Sequence, residues 1–145
     1  MKRCSAARHS LLALLLGLLM LPPAQADSGS WVGDAPSVRL FTPGRVAKSA
    51  AIAPPGRLPS DARIRRVAWR FEPPVDQPLL EAWLCHRRCL PLSMARGASE
   101  ALAGLAADQP LYFLFRLPAE AHADTPFRLR GLQVIVDYRS NADLP

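Results

Sequence analysis

The sequence predicts an all-β protein, a single-domain antiparallel β-sandwich of about seven strands with room for one short helix. Three observations carry this expectation. Apolar and polar residues alternate with a period of two over residues 67–72 and 133–138, as in half-buried strands. Prolines close the candidate strands, because proline cannot donate to a sheet ladder. Convincing crossover helices are missing, which argues against a parallel sheet.

The chain opens on a segment that is not expected to belong to the sandwich. Lys2, Arg3 and Arg8 precede an apolar run over residues 11–21, which Pro22 and Pro23 end. Eleven apolar residues are short of the roughly 20 that a membrane-spanning helix needs. Ala24, Gln25 and Ala26 supply small residues at the −3 and −1 positions of a signal-peptidase site. Residues 1–26 therefore read as a cleaved secretory signal peptide, with an uncleaved anchor as the alternative. Cys4 lies before the apolar run and is not placed as a lipoprotein acceptor. The sandwich is expected over residues 27–139, with a short tail at 140–145.

Removal of the signal changes the charge. The full chain has 18 Lys and Arg against 12 Asp and Glu; without Lys2, Arg3 and Arg8 this becomes 15 against 12, or +3. So modest an excess on an exported chain makes nucleic acid an improbable partner. No second apolar run is long enough for stable membrane insertion. A mature chain of 119 residues suits one core.

Cys85 and Cys89 are the two cysteines left after cleavage, an even number in an oxidising compartment, and a disulfide between them is expected. Three intervening residues suit a tight hairpin loop. Zinc would need more ligands than this pair and His86 supply, and a thioredoxin-type site prefers two intervening residues. Closing so small a loop contributes about 2 kcal/mol in the chain-entropy model.

Along the mature chain, Val67, Trp69 and Phe71 alternate with Ala68, Arg70 and Glu72, and Pro73 and Pro74 stop the strand. Residues 79–85 are apolar on both faces apart from Glu81 and lead into the cysteine hairpin. A return strand over 90–92 is expected at a sheet edge because of Pro91. Residues 111–117 form an aromatic strand closed by Pro118. Within residues 128–139, Val134, Val136 and Tyr138 face one way and Gln133, Ile135 and Asp137 the other. The expected core contains Val67, Trp69, Phe71, Trp83, Phe113, Phe115, Val134, Val136 and Tyr138. Residues 43–59 fit either a weak edge strand or a mobile loop. Residues 98–107 fit either a two-turn helix capped by Ser99, with Leu102 and Leu105 on one face, or an alternating strand through Leu102.

Catalytic patterns are absent. The mature histidines are His86 and His122, each read as a solvated loop residue, and there is no phosphate-binding glycine pattern, nucleophile elbow or HExxH. A non-enzyme without cofactor or metal is expected. Two surface features remain as binding candidates. Arg66 and Arg70 share the face opposite Trp69 and, with Arg63, Arg65, Arg87 and Arg88, suit an acidic protein surface or anionic glycan; ordinary solvated arginines are the alternative. Trp31, Trp69 and Trp83 would suit a sugar platform, although Trp69 and Trp83 lie on apolar strand faces where tryptophan normally packs in a core. Trp31 is the freer of the three.

Four blocks together resemble the FlhE family of periplasmic flagellar proteins: Val67-Ala68-Trp69-Arg70-Phe71-Glu72, the Leu84-Cys85…Cys89 hairpin, the strand at 111–118, and Gln133-Val134-Ile135-Val136-Asp137-Tyr138-Arg139. The resemblance is good over residues 66–139 and thin over 27–65, where Trp31 and a strand near residues 38–41 match. The cysteine spacing is one residue tighter than expected for the family, Phe115 stands where tryptophan is usual, and a tail follows Arg139. The resemblance implies a non-enzymatic β-sandwich acting in the periplasm. It further implies modulation of flagellar assembly and swarming, and limitation of proton leakage through the flagellar type III export apparatus. The implied partner is a rod or export-apparatus component facing the periplasm, with a homodimer also compatible. A periplasmic glycan-binding module, with peptidoglycan as ligand, is the alternative. No catalytic residue is carried over.

Mature protein isolated from periplasm should begin at Asp27 and carry the Cys85–Cys89 bridge. Intact-mass measurement with and without reductant checks both. Retention of residues 1–26, or two thiols that alkylate without reduction, would contradict this expectation.

Overall fold

The computed structural model describes residues 28–73, 75, 80–121 and 126–140. The signal segment, His122, Pro74, Leu79 and the tail beyond Ser140 lie outside the described residues. Nine strands form two antiparallel sheets: β1 (Ser28–Ala35), β2 (Val38–Leu40), β3 (Val46–Lys48), β4 (Arg63–Glu72), β5 (Glu81–Cys85), β6 (Cys89–Leu92), β7 (Arg96–Ser99), β8 (Tyr112–Arg116) and β9 (Phe127–Arg139). The five-stranded sheet runs β1-β9-β4-β7 with β2 also paired to β9, and the four-stranded sheet runs β3-β8-β5-β6. The sandwich expectation holds, with more strands than the sequence pattern indicated.

Strand β9 organises the larger sheet. Its C-terminal part pairs with β1, from Leu132 to Arg139, and its first residues pair with β2. The changeover falls at Gly131, whose φ of 62° is a left-handed conformation that glycine adopts without steric cost. On the other side of β9, Phe71 of β4 faces two residues, Gly131 and Leu132, in a bulge that bends the sheet. A second bulge places Arg65 between Ile64, opposite Tyr138, and Arg66, opposite Asp137. Were the ladder regular through Arg65, strict alternation from the buried Ile64 would turn Arg66 toward the core.

Val67, Trp69 and Phe71 from β4, Val134 and Val136 from β9, and Phe113 and Phe115 from β8 are buried between the sheets, as the alternation predicts. Phe71 meets Phe113 and Phe115 edge-on, with ring centroids 6.2 and 5.2 Å apart. This geometry sets the positive ring edge against the negative ring face. Tyr138 packs half-buried at the margin of the core.

Trp83 does not join this core. It lies half-buried on the outer face, opposite Leu114 and Pro91, while Ala82 and Leu84 point inward. Because 79–85 is apolar on both faces, periodicity could not tell which set was internal. Pairing of β5 with β8 sets Ala82 opposite Phe115 and Leu84 opposite Phe113 on the inner face. Trp31, read as the freest tryptophan, is instead 5% exposed and donates its Nε1–H to the Ala107 carbonyl over 3.1 Å. Its strand escaped detection because the remaining inward positions are Gly29, Gly33 and Ala35, which leave no apolar alternation. Gly29 is required by close approach: a Cβ there would collide with the Tyr138 ring.

The two ambiguous stretches are resolved by backbone pairing. Residues 46–48 form an edge strand on β8, and Ser49 continues the attachment by accepting from the Phe113 N–H through its Oγ over 2.9 Å. Residues 98–107 form neither helix nor continuous strand. After β7, Ser99 Oγ accepts from the Ala101 N–H, as a cap would, and a turn joins Ala103 to Glu100. Helix growth stops there because Gly104 and Leu105 bond instead to the main chain of Ile64. Leu102 is thereby driven into the core.

Trp69→Ala should destabilise the protein by about 3–5 kcal/mol, the usual cost of deleting a buried tryptophan. Trp83→Ala should cost well under half as much. Chemical denaturation of both variants checks the placement of the two rings, and equal losses would contradict it.

Candidate protein-binding face

The outward residues of the five-stranded sheet form three cross-strand rows. Ser30, Asp137 and Arg66 make the first; Val32, Ile135, Ala68 and Ala98 the second; Asp34, Gln133, Arg70 and Arg96 the third. An apolar stripe therefore runs between two polar rows. Val32 and Ile135 are directly opposed and remain 47% and 37% exposed. Successive rows are separated by two residues along each strand, about 7 Å.

The polar rows are rich in arginine. Arg66 opens into a groove of about 930 Å³ that Arg63, Arg65, Arg139, Asp137 and Glu100 also line. Arg70 lies opposite Arg96 across a hollow of about 330 Å³ bordered by Gln133, Ile135 and Ala68. Gln133 donates to Asp34 over 2.8 Å, so that carboxylate is already engaged. Among the described residues one ion pair forms, between Arg116 and Glu81 on the other sheet at 2.6 Å. Its hydrogen bond holds the Glu81 carboxyl below the usual carboxylate range and raises the Arg116 guanidinium.

Arg87 and Arg88 project from the β5–β6 hairpin of the opposite sheet. Arg88 donates to the Ala101 carbonyl over 2.6 Å, so it reaches the turn whose Glu100, Ala103 and Gly104 line the Arg66 groove. Arg87 donates its backbone N–H to His86 Nδ1 over 2.7 Å. The structure thus groups Arg66 with Arg63 and Arg65, and Arg70 with Arg96, and sets Arg88 across one turn from them. Arg96 and the Val32–Ile135 stripe were missed in the sequence. The available signal was Ile135, an isoleucine placed between Gln133 and Asp137 on the polar side of an alternating strand.

The Cys85–Cys89 disulfide closes the β5–β6 hairpin. His86, expected to be a solvated loop residue, joins that hairpin to the neighbouring loop through Nε2, 3.0 Å from the Ala106 carbonyl. With Nδ1 accepting from Arg87 and Nε2 donating to Ala106, the neutral ring satisfies both contacts. Burial lowers the His86 pKa below its ordinary value of 6.5, a shift aided by Arg87 and opposed by the Ala106 carbonyl and Asp108.

The tryptophans do not form a sugar platform. Trp31 and Trp69 are buried, and Trp69 donates to the Met94 carbonyl over 3.0 Å. Trp83 stands on the opposite sheet beneath Arg116, 5.6 Å from the ring centroid, beside Tyr112, over which Lys48 sits at 3.9 Å. Among the described residues no group of three or more His, Cys, Asp or Glu is placed to hold a metal. No helix among them is long and apolar enough to cross a membrane.

Two antiparallel sheets with one hairpin closed by a disulfide define the class as a small disulfide-bonded β-sandwich protein. Comparison with known proteins makes this specific. The family described as "Flagellar protein FlhE" matches residues 37–139. Flagellar protein FlhE of Yersinia enterocolitica is 33% identical over 132 residues, covering 87% of this chain and 94% of its own. The protein of the same name from Escherichia coli K12 is 31% identical over 133 residues, covering 90% and 99%. A crystal structure of FlhE superposes with a TM-score of 0.70 at 30% identity, covering 79% of this chain and 99% of that one. The chain belongs to the FlhE family. It is a flagellar accessory protein of the periplasm.

Because His86 is shifted down, the unfolded chain takes up a proton before the folded one. The stabilisation is present above pH 6.5 and is lost as pH falls below it. The melting temperature should therefore decline as pH falls below 6.5, and His86→Gln should flatten that decline. Melting curves recorded from neutral pH downward check it, and identical pH profiles would exclude His86 as the cause.

Proposed function

We propose that this protein modulates flagellar assembly and swarming, and limits proton leakage through the flagellar type III export apparatus, by non-enzymatic docking onto a component facing the periplasm. Membership of the FlhE family supports a flagellar role. The observation that carries the docking reading is the outer face of the five-stranded sheet, where an exposed apolar stripe lies between rows bearing Arg66 and Arg70. Such a pattern, apolar at its centre and charged at its rim, is the usual anatomy of a protein interface. Arg87 and Arg88 extend the contact at the end nearest the 100–104 turn.

Strand addition is disfavoured at three of the sheet edges: β3, β6 and β7 are three or four residues long, and β6 carries Pro91, whereas the β1 edge is eight residues long. Short edges and an edge proline resist pairing with another chain. Peptidoglycan binding is less well supported, because the three tryptophans share no face and Arg116 and Lys48 already cover Trp83 and Tyr112.

Replacing both Arg66 and Arg70 by Glu should spare the fold, since exposed substitutions cost about 0.5 kcal/mol or less. In a strain lacking the protein, the double variant should fail to restore swarming and the block on proton entry from periplasm to cytoplasm. Full rescue would remove these arginines from the mechanism. Wild-type flagellar behaviour in the deletion strain would sink the functional reading.

A further inference from the structure

We propose that the partner segment seated on this face is acidic and amphipathic, placing an apolar side chain over Val32 and Ile135 and carboxylates at Arg66 and at the Arg70–Arg96 pair. The inference rests on the reading that the face docks a flagellar component, and it adds the chemistry of that component.

Three observations point to this occupant. Val32 and Ile135 are the two exposed large hydrophobics that form a direct cross-strand pair; Phe41, Val46, Val75 and Met94 pair with no other exposed apolar residue among the described residues. Arg70 and Arg96 are directly opposed, and like charges in that position destabilise a sheet. Neither lies within 4.0 Å of a carboxylate among the described residues, and the hollow between them adjoins the apolar pair. One incoming carboxylate would accept from both guanidinium groups and offset their repulsion. Beyond the stripe, Arg63, Arg65, Arg66 and Arg139 outnumber Asp137 and Glu100 around the larger groove, leaving it cationic.

The spacing constrains the ligand further. Arg66 and Arg70 are four residues apart on β4, about 13 Å, with the apolar row midway. The matching segment carries two acidic groups that distance apart on either side of an aliphatic or aromatic side chain. A uniformly acidic tail would leave Val32 and Ile135 uncovered, and an apolar segment would leave the arginines desolvated without partners.

Site-specific photocrosslinking in flagellated cells tests this. A benzophenone amino acid is placed at Val32, at Ile135 or, on the opposite sheet, at Leu114, and the joined peptides are sequenced by mass spectrometry. Positions 32 and 135 should join a net-acidic segment of a flagellar component. Arg70→Glu with Arg96→Glu should cut that yield at least about tenfold, and Lys at both positions should retain most of it. Periplasmic recovery of each variant with its disulfide intact confirms folding. Joining to a segment that is not acidic, or an unchanged yield in the Glu variant, would overturn the inference and leave docking through this face standing. Joining to a flagellar component from Leu114 alone would overturn the choice of face. Joining to a second copy of this chain would replace the proposed occupant with a dimer. Failure of all three positions to capture a flagellar component would overturn both the inference and the docking reading.

Discussion

The register between β4 and β9 is the constraint on which the rest of the molecule depends. It sets Val67 opposite Val136 and Trp69 opposite Val134 on the inside, and Arg66 opposite Asp137 and Arg70 opposite Gln133 on the outside. Sheet side chains alternate with a period of two, so a slip by one residue would exchange the aromatic core for the arginines. Desolvating unpaired guanidinium groups is far more costly than any gain in pairing, and this makes the register close to unique. The two bulges keep the alternation in phase over a 10-residue and a 13-residue strand. The core and the candidate interface are thus two faces of one pairing.

The outer faces of the two sheets are chemically different. On the four-stranded sheet, Arg116 binds Glu81 and covers Trp83, and Lys48 covers Tyr112. Charges and rings there satisfy one another within the chain. On the five-stranded sheet the arginines lie beside an exposed aliphatic pair, and among the described residues none of them has a carboxylate oxygen within 4.0 Å. A surface that leaves both its charges and its apolar area unsatisfied has more to gain from a partner than one that is internally matched.

The sheets are also tied at one end by main-chain contacts. The 100–107 segment bonds to Ala62 and Ile64 of the β4 region, receives Trp31 Nε1–H and Arg88 on its carbonyls, and touches His86. Residues from both sheets therefore meet on a loop that has little regular structure of its own. The disulfide closes the hairpin that supplies His86 and Arg88 to this loop.

Local chemistry by itself determined the all-β class, the strands around Trp69, Phe113 and Val136, and the bridge between Cys85 and Cys89. In each case a period of two or cysteine parity is written into adjacent residues. The outward direction of Arg66 and Arg70 was legible for the same reason. Tertiary structure decided what short-range pattern leaves degenerate. Residues 79–85 are apolar on both faces, so only the pairing of β5 with β8, which sets Ala82 and Leu84 against Phe115 and Phe113, decides that Trp83 lies outside. Trp31 is buried on a strand whose other inward positions include Gly29, which makes room for Tyr138, and Gly33, which makes room for Ile52 and Trp31, and glycine leaves no hydrophobic signature in a strand. The segment after Ser99 has the cap of a helix but not its continuation, since Ile64, 35 residues earlier, captures the backbone groups that a helix would use. The pairing of Arg70 with Arg96, and of Val32 with Ile135, joins positions distant in the chain, and no local rule relates them.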